Sequence, residues 1–263
     1  MTTTQAEKAV LLDSLHVPGT PLIVTNVWDA ITARTVAAVP GVRALATASH
    51  AVSYAHGVED GEGLSVEQAL ETARIVASAV DLPVSVDFER GYARDAAAVQ
   101  HNVERLVYAG AVGLNFEDST GDSAAPLLPI DEQRDRVAAV RAAGDATGVP
   151  IVINARVDSL VRGGDWADMV ARANAYLASG ANVVFVLGLR DEDAVARAIA
   201  DIDGRVSVAA NPGSVPLARL AELGMSRVSF GPGTLGLTLA HLQAAAVQLT
   251  ALGEYPAELG FEY

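Results

Sequence analysis

The sequence predicts a single (β/α)8 barrel over residues 1–263, an α/β fold, on three observations. Short β-branched runs alternate with alanine-rich segments of helical spacing. The alternation repeats eight times, and no low-complexity run or Pro/Gly/Ser linker divides it. The strand candidates are nearly continuous apolar runs, as expected where both faces are buried. An open doubly wound sheet can use the same units, but eight of them in about 250 residues favour closure.

Along the chain, a leading helix over 5–15 is expected to cap the barrel bottom. The strands are expected at 22–25, 44–48, 84–87, 113–116, 151–154, 183–186, 206–209 and 227–230. The helices are expected at 30–39, 66–80, 96–109, 131–147, 167–179, 191–200, 216–223 and 235–252. Gly110, Gly148, Gly180 and Gly224 each stop a helix, and Ser65 with Gln68 reads as a capping box. The last helix is apolar enough for either a subunit contact or ordinary packing on the barrel wall. No role is read for the tail, residues 253–263.

Composition removes whole classes of chemistry. The chain has no cysteine, which excludes disulfides, zinc-thiolate sites and cysteine nucleophiles. Lys8 is the only lysine and lies in the leading helix, so Schiff-base catalysis is not expected. With 18 basic against 32 acidic residues the net charge is −14, so neither nucleic acid nor an anionic membrane is an expected partner. No apolar run nears the roughly 20 residues of a membrane span. The first residues lack a signal-peptide pattern, and a cytoplasmic location is expected.

Barrel enzymes place their chemistry at the C-terminal ends of the strands. Asp87 and Glu89 are two apart at the end of the third strand and can face the same way. Glu117 ends the neighbouring strand. Three carboxylates without a histidine cluster suit a hard cation with oxygen ligands, Mg²⁺ first and Mn²⁺ second. The alternative is an acidic rim that only caps helices. Arg156 follows the fifth strand, where it can clamp a substrate carboxylate or make a structural ion pair with Asp158 or Glu117. Asp60, in a polar loop after the second strand, is a candidate base or a solvated acid. His50 and His56 flank that loop and can move protons or serve structure. Gly231-Pro232-Gly233-Thr234 is either a weak phosphate-site signal or a tight turn.

At these residues the sequence resembles the isocitrate lyase/phosphoenolpyruvate mutase superfamily, in particular its short phosphonomutase-like members. The likeness covers roughly residues 20–240. Its anchors are Asn26-Val27-Trp28-Asp29, Gly57-Val58-Glu59-Asp60, Asp87-Phe88-Glu89-Arg90-Gly91-Tyr92, the run 110–118 ending in Glu117-Asp118, and Asn154-Ala155-Arg156-Val157-Asp158. The resemblance implies a barrel whose last helix is often swapped between subunits, giving a homodimer or homotetramer. It implies Mg²⁺ touched directly by Asp87, with Glu89 and Glu117 holding its waters. Arg156 becomes the substrate carboxylate clamp. Asp60 becomes a substrate-binding acid and base. Trp28, Ser49 and Asn211 join the substrate-binding set.

Two departures shape the expected function. The family's lyases carry a lysine- and cysteine-bearing gate loop after the fourth strand, whereas residues 119–129 here have neither. Isocitrate or methylisocitrate cleavage by the usual route is therefore not expected, and mutase or phosphonopyruvate hydrolase activity is disfavoured. The third strand carries Asp-x-Glu instead of Asp-x-Asp, one methylene longer. The expected activity is a Mg²⁺-dependent carbon–carbon lyase or decarboxylase acting on an oxaloacetate-like or substituted-malate acid through an enolate. The alternatives are P–C chemistry on phosphonopyruvate or phosphoenolpyruvate, and a catalytically silent barrel that binds a 2-oxo acid.

Overall fold

A computed structural model describes residues 3–256; the part of the predicted domain at 1–2, and the tail from 257 to 263, lie outside the described residues. The chain opens with α1 (Gln5–Ser14), then β1 (Leu22–Val24), β2 (Asn26–Val27), α2 (Ala30–Ala37), β3 (Leu45–Thr47), α3 (Ser49–Ala55) and α4 (Val66–Ser78). It continues through β4 (Val84–Asp87), α5 (Ala96–Tyr108), β5 (Gly113–Glu117), α6 (Ile130–Thr147), β6 (Val152–Val157) and α7 (Trp166–Ala178). The last third holds β7 (Val183–Val186), α8 (Glu192–Asp201), β8 (Val206–Ala209), α9 (Leu217–Glu222), β9 (Arg227–Ser229) and α10 (Gly233–Thr250).

All strand pairs are parallel, in the order β1-β9-β8-β7-β6-β5-β4-β3-β2. The strand expected at 22–25 is two short pieces broken at Thr25. One piece pairs with β9 and the other with β3, so the sheet closes on itself as an eight-position barrel. Asn26 stitches the seam: its Nδ2 donates to Thr47 O at 2.9 Å, and its Oδ1 accepts from Phe230 N at 2.8 Å. One side chain thus bonds to the strand ends on both flanks.

The leading helix does cap the N-terminal mouth. Gln5 Nε2 donates to Val107 O and Ala111 O at 2.6 and 2.9 Å, and Asp13 accepts from Arg205 and Asn182. Leu12 is fully buried and packs so closely on Gly113 that a Cβ there would sit 2.7 Å from Leu12 Cδ2. Burying such a side chain contributes about 1.5–3 kcal/mol. Ser65 and Gln68 form the expected capping box, and Gly148 closes α6 at φ 72°, where a Cβ would be strained.

One element differs from expectation, and one of the two open alternatives for the last helix is not realised. No helix is expected at 49–55, where α3 forms. Its start has no side-chain cap of its own, and it is held instead by Asp87 of the next strand, a contact no local pattern reveals. Helix α10 forms, but it does not lie on the barrel wall: Leu235 is its only buried residue among those described. Leu237, Leu242 and Val247 stand 75%, 63% and 65% exposed.

Candidate active site

The barrel interior beneath the C-terminal mouth is polar. Asn154 Nδ2 donates to Asn115 Oδ1 at 2.8 Å, and Ser207 Oγ donates to Asn154 Oδ1 at 2.8 Å. Arg227 reaches the same Asn115 oxygen at 3.4 Å from the far wall. It is fully enclosed, and burial pulls its pKa down to about 10 against the opposing pull of Asp87. Asn115 Nδ2 in turn points at Asp87 Oδ1, 3.4 Å away. The interior strand positions therefore form a hydrogen-bonded floor that ends at Asp87.

Asp87 is fixed from two sides. Its backbone N–H donates to Thr47 Oγ1 at 2.9 Å, and its Oδ2 accepts the Ser49 N–H at 2.9 Å. Ser49 begins α3, so the carboxylate sits at a helix N-terminus, a favourable place for negative charge. In this structure the Ser49 amide, expected to meet substrate, is bonded to Asp87.

Glu89 and its neighbours form a compact knot. Glu89 Oε2 accepts the Glu62 N–H at 2.5 Å and Oε1 accepts the Tyr92 hydroxyl at 3.0 Å, while Tyr92 N–H donates to Glu62 Oε1 at 2.8 Å. Glu62, Glu89 and Tyr92 all have positive φ, at 62°, 47° and 54°. Such backbone is costly for non-glycine residues and clusters at functional sites. Burial, then the charges of Asp87, Asp60 and Glu117, push the Glu89 carboxyl up to about 7.

Glu117 and Arg156 sit on adjacent strands in register. Glu117 Oε2 lies 2.6 Å from Arg156 Nη1, and its Oε1 accepts the Ser119 hydroxyl at 2.5 Å. Burial pushes the Glu117 carboxyl up, Arg156 opposes, and Asp158 and Asp87 add to the rise. Arg156 also donates from Nε and Nη2 to both oxygens of Asp158 at 2.7 and 2.8 Å. Burial works against its charge, but Glu117 and Asp158 outweigh it and hold the pKa above its ordinary value. Both alternatives weighed for Arg156 as an ion pair are thus realised together. Three of its five N–H donors are engaged, which leaves two.

Asp60 stands 40% exposed on the loop after α3, with His50 Nδ1 3.7 Å away. His50 stacks on Tyr54, whereas the His56 ring meets Thr72 Oγ1 at 3.3 Å. The remaining expected substrate residues, Trp28 and Asn211, make no hydrogen bond with the carboxylates among the described residues. Half-buried Trp28 packs against Ala48, Ala51 and Leu235. Asn211 is exposed beyond β8, and its N–H is bonded to Ser214 Oγ at 2.9 Å. Thr234 is a structural tie instead of a phosphate contact: its hydroxyl donates to Asn26 O at 2.8 Å. The apolar groove of about 590 Å³ between residues 210–217 and the start of α10 does not include the carboxylates.

Sequence reasoning assigned no role to Glu62, Arg90, Tyr92, Thr47, Asn115 or Arg227. Arg90 Nη2 donates to Gly61 O at 2.8 Å, and its Nη1 lies 3.9 Å from Glu117 Oε1. The signal available was its place inside the Asp87–Tyr92 motif.

The donor set fits a hard cation. Every candidate ligand is a carboxylate oxygen, and the charge of Asp87 adds to the raised pKa of both Glu89 and Glu117, a repulsion that a cation relieves. Among the described residues no three such side chains converge as a ready ligand cluster. A hollow of about 20 Å³ beside Asp87 and Glu89 has room for one water-sized occupant.

The chain is similar to known proteins over most of its length. The family model for phosphoenolpyruvate phosphomutase matches residues 12–250. Rv1998c, an uncharacterized protein of Mycobacterium tuberculosis, is 34% identical over 241 residues, which span 89% of this chain and 87% of the relative. A phosphonomutase-like chain solved from Burkholderia cenocepacia superposes with a TM-score of 0.87 at 37% identity, over 93% of this chain and 99% of the other. Phosphonopyruvate hydrolase, solved with oxalate and Mg²⁺, superposes with a TM-score of 0.84 at 25% identity, over 99% and 92%. Shorter matches reach 2-methylisocitrate lyase of Escherichia coli (34% identity, 63% of this chain and 57% of the enzyme) and oxaloacetate decarboxylase of Rhodopseudomonas palustris (33%, 51% and 48%). With a parallel barrel and a family model matching nearly the whole chain, this protein belongs to the phosphoenolpyruvate mutase family of the isocitrate lyase/phosphoenolpyruvate mutase superfamily.

Proposed function

We propose that this chain is a Mg²⁺-dependent carbon–carbon lyase or decarboxylase acting on a small 2-oxo acid. The observation that carries the reading is the grouping of Asp87, Glu89 and Glu117 beside Arg156, next to a loop that offers neither cysteine nor lysine. Asp87 would touch the ion, and Glu89 and Glu117 would hold its waters. When bound, Mg²⁺ supplies charge stabilisation at the substrate's keto oxygen.

The chain's own residues do the rest. Arg156 orients the substrate carboxylate with its two unused N–H groups. Trp28 and Ser49 wall the substrate, with Asn211 on the far rim. Asp60, exposed and close to His50, holds or returns a proton. Decarboxylation demands least of such a site: the bond from C3 to the departing carboxylate breaks, CO₂ leaves, and one proton is returned to C3. The oxaloacetate decarboxylase match supports this choice. The phosphonomutase-like match supports the alternative of P–C chemistry on phosphonopyruvate or phosphoenolpyruvate.

Calorimetry with oxalate, a mimic of the enolate, tests the reading. Binding is expected with Mg²⁺ and lost with chelator, and Asp87→Ala should weaken it by about a hundredfold or more. Unchanged binding in that variant sinks the metal assignment. Binding without turnover on a panel of 2-oxo acids would support the silent barrel.

The exposed apolar side of α10 supports a homo-oligomer, dimer or tetramer, in which a second copy of the chain covers Leu237 and Leu242.

A further inference from the structure

In a chain of net charge −14, one cleft is walled by three arginines. It lies between the stretch after β4 and the loop after β5, holds about 290 Å³, and its walls include Arg90, Arg94, Arg136, Tyr92 and Ser119 together with one carboxylate, Glu62. Two of the three charges are offset: Glu62 lies 3.1 Å from Arg90, and Glu132 lies 3.2 Å from Arg94.

Arg136 is different. It is 2% exposed, and none of its hydrogen bonds goes to a carboxylate. It donates to Gln133 Oε1 at 2.5 Å and to the backbone oxygens of Arg90 and Ala93, and it lies 4.8 Å from the centre of the Phe116 ring. Its Nε has no hydrogen-bond partner among the described residues. Glu62 and Glu132 act on it only from a distance, each already paired with another arginine, so burial still works against its charge and an anion in the adjoining cleft would relieve that cost. Arg90 links the cleft to the carboxylates, with Nη1 3.9 Å from Glu117 Oε1. Gly121 of the loop after β5 crosses close above it, where a Cβ would sit 3.3 Å from Nη1.

We propose that this cleft is a second oxyanion site, separate from Arg156, that takes a small carboxylate or phosphate group. The site stands independently of the metal assignment, because none of its walls is a candidate ligand. The group it takes is either a free anion or the second anionic end of the substrate.

Inorganic phosphate is the probe, titrated by calorimetry into the full chain without Mg²⁺. One saturable site per chain is expected. Arg94→Gln, a change at a side chain 79% exposed and so safe for folding, should weaken it about tenfold, the loss of one charge-assisted contact. Arg90→Gln should weaken it further, and Asp87→Ala should leave it intact. A repeat on protein saturated with Mg²⁺ and oxalate, then with Mg²⁺ and a four-carbon dicarboxylic analogue, separates the two sources. A site open under oxalate but closed under the dicarboxylate is the seat of the substrate's second carboxylate. A site open under both belongs to a free anion. The proposal is overturned by absence of saturable phosphate binding, by binding equally strong in both arginine variants, by its loss in Asp87→Ala, or by its closure under oxalate alone. Failure of Mg²⁺-dependent oxalate binding is read separately and bears only on the catalytic assignment.

Discussion

From β4 to β6 the barrel mouth is built of buried charge, and nearly every polar atom there has a named partner. From β8 round to α10 it is apolar and open, and a whole helix stands off the wall with only Leu235 buried. The first region spends stability to hold carboxylates and arginines in place, as sites built for chemistry do. The second leaves apolar area uncovered, as surfaces built for assembly do. Variants in the two regions should therefore fail in different ways.

The largest effect is expected at Arg156. Arg156→Met leaves Glu117 and Asp158 buried without their shared counter-charge, and Asp158 is fully enclosed. Breaking a buried pair from one side typically costs about 3–5 kcal/mol. With the Arg156 side chain 19% exposed, the lower end of that range, about 3 kcal/mol, is expected in urea unfolding. A loss under about 1 kcal/mol would mean that the carboxylates are solvated and the charged region is no more constrained than the apolar one.

This division explains what the sequence could reveal. The barrel was legible because parallel βα units announce themselves locally: Val84–Asp87, Val183–Val186 and Val206–Ala209 form strands over the expected residues. Asp87, Glu89, Glu117 and Arg156 were legible as polar residues ending apolar strands. What was not legible depends on contacts between distant elements. The start of α3 is held by Asp87, 38 residues away. The seam at Asn26 needs Thr47 and Phe230 at once. Arg227 looked like the first residue of an apolar strand, and only closure of the barrel shows it buried beneath Asp87. The detachment of α10 was equally hidden, since an apolar helix reads the same against a barrel wall as against a second subunit.

The next effect is pH-dependent. The folded-state pKa of Glu89 is raised from 4.5 to about 7. Between those values the folded state holds a proton that the unfolded chain has lost, so metal-free stability should fall as pH rises from about 4.5 to 7 and then level off. The drop attributable to this group is roughly 3 kcal/mol. Glu89→Gln should flatten that slope, and Mg²⁺ should oppose the fall in the wild type if Glu89 faces its hydration shell. Thermal unfolding from pH 4 to 8, with and without metal, reads both. A slope unchanged in the variant would assign the pH dependence to other groups.

The smallest effect on the folded chain, and the sharpest contrast with Arg156, is expected in α10. Leu237→Ser combined with Leu242→Ser removes side chains that are 75% and 63% exposed. Exposed positions usually shift stability by no more than about 0.5 kcal/mol each. The melting temperature measured at low protein concentration should therefore barely move. Mass in solution should respond strongly: light scattering is expected to show a dimer or tetramer for the wild type and a smaller species for the double variant, with Mg²⁺-dependent oxalate binding retained. If the variant keeps the wild-type mass, α10 does not hold the subunits together. If oxalate binding falls along with the mass, the two regions are not separable, and the assembled state completes the carboxylate site.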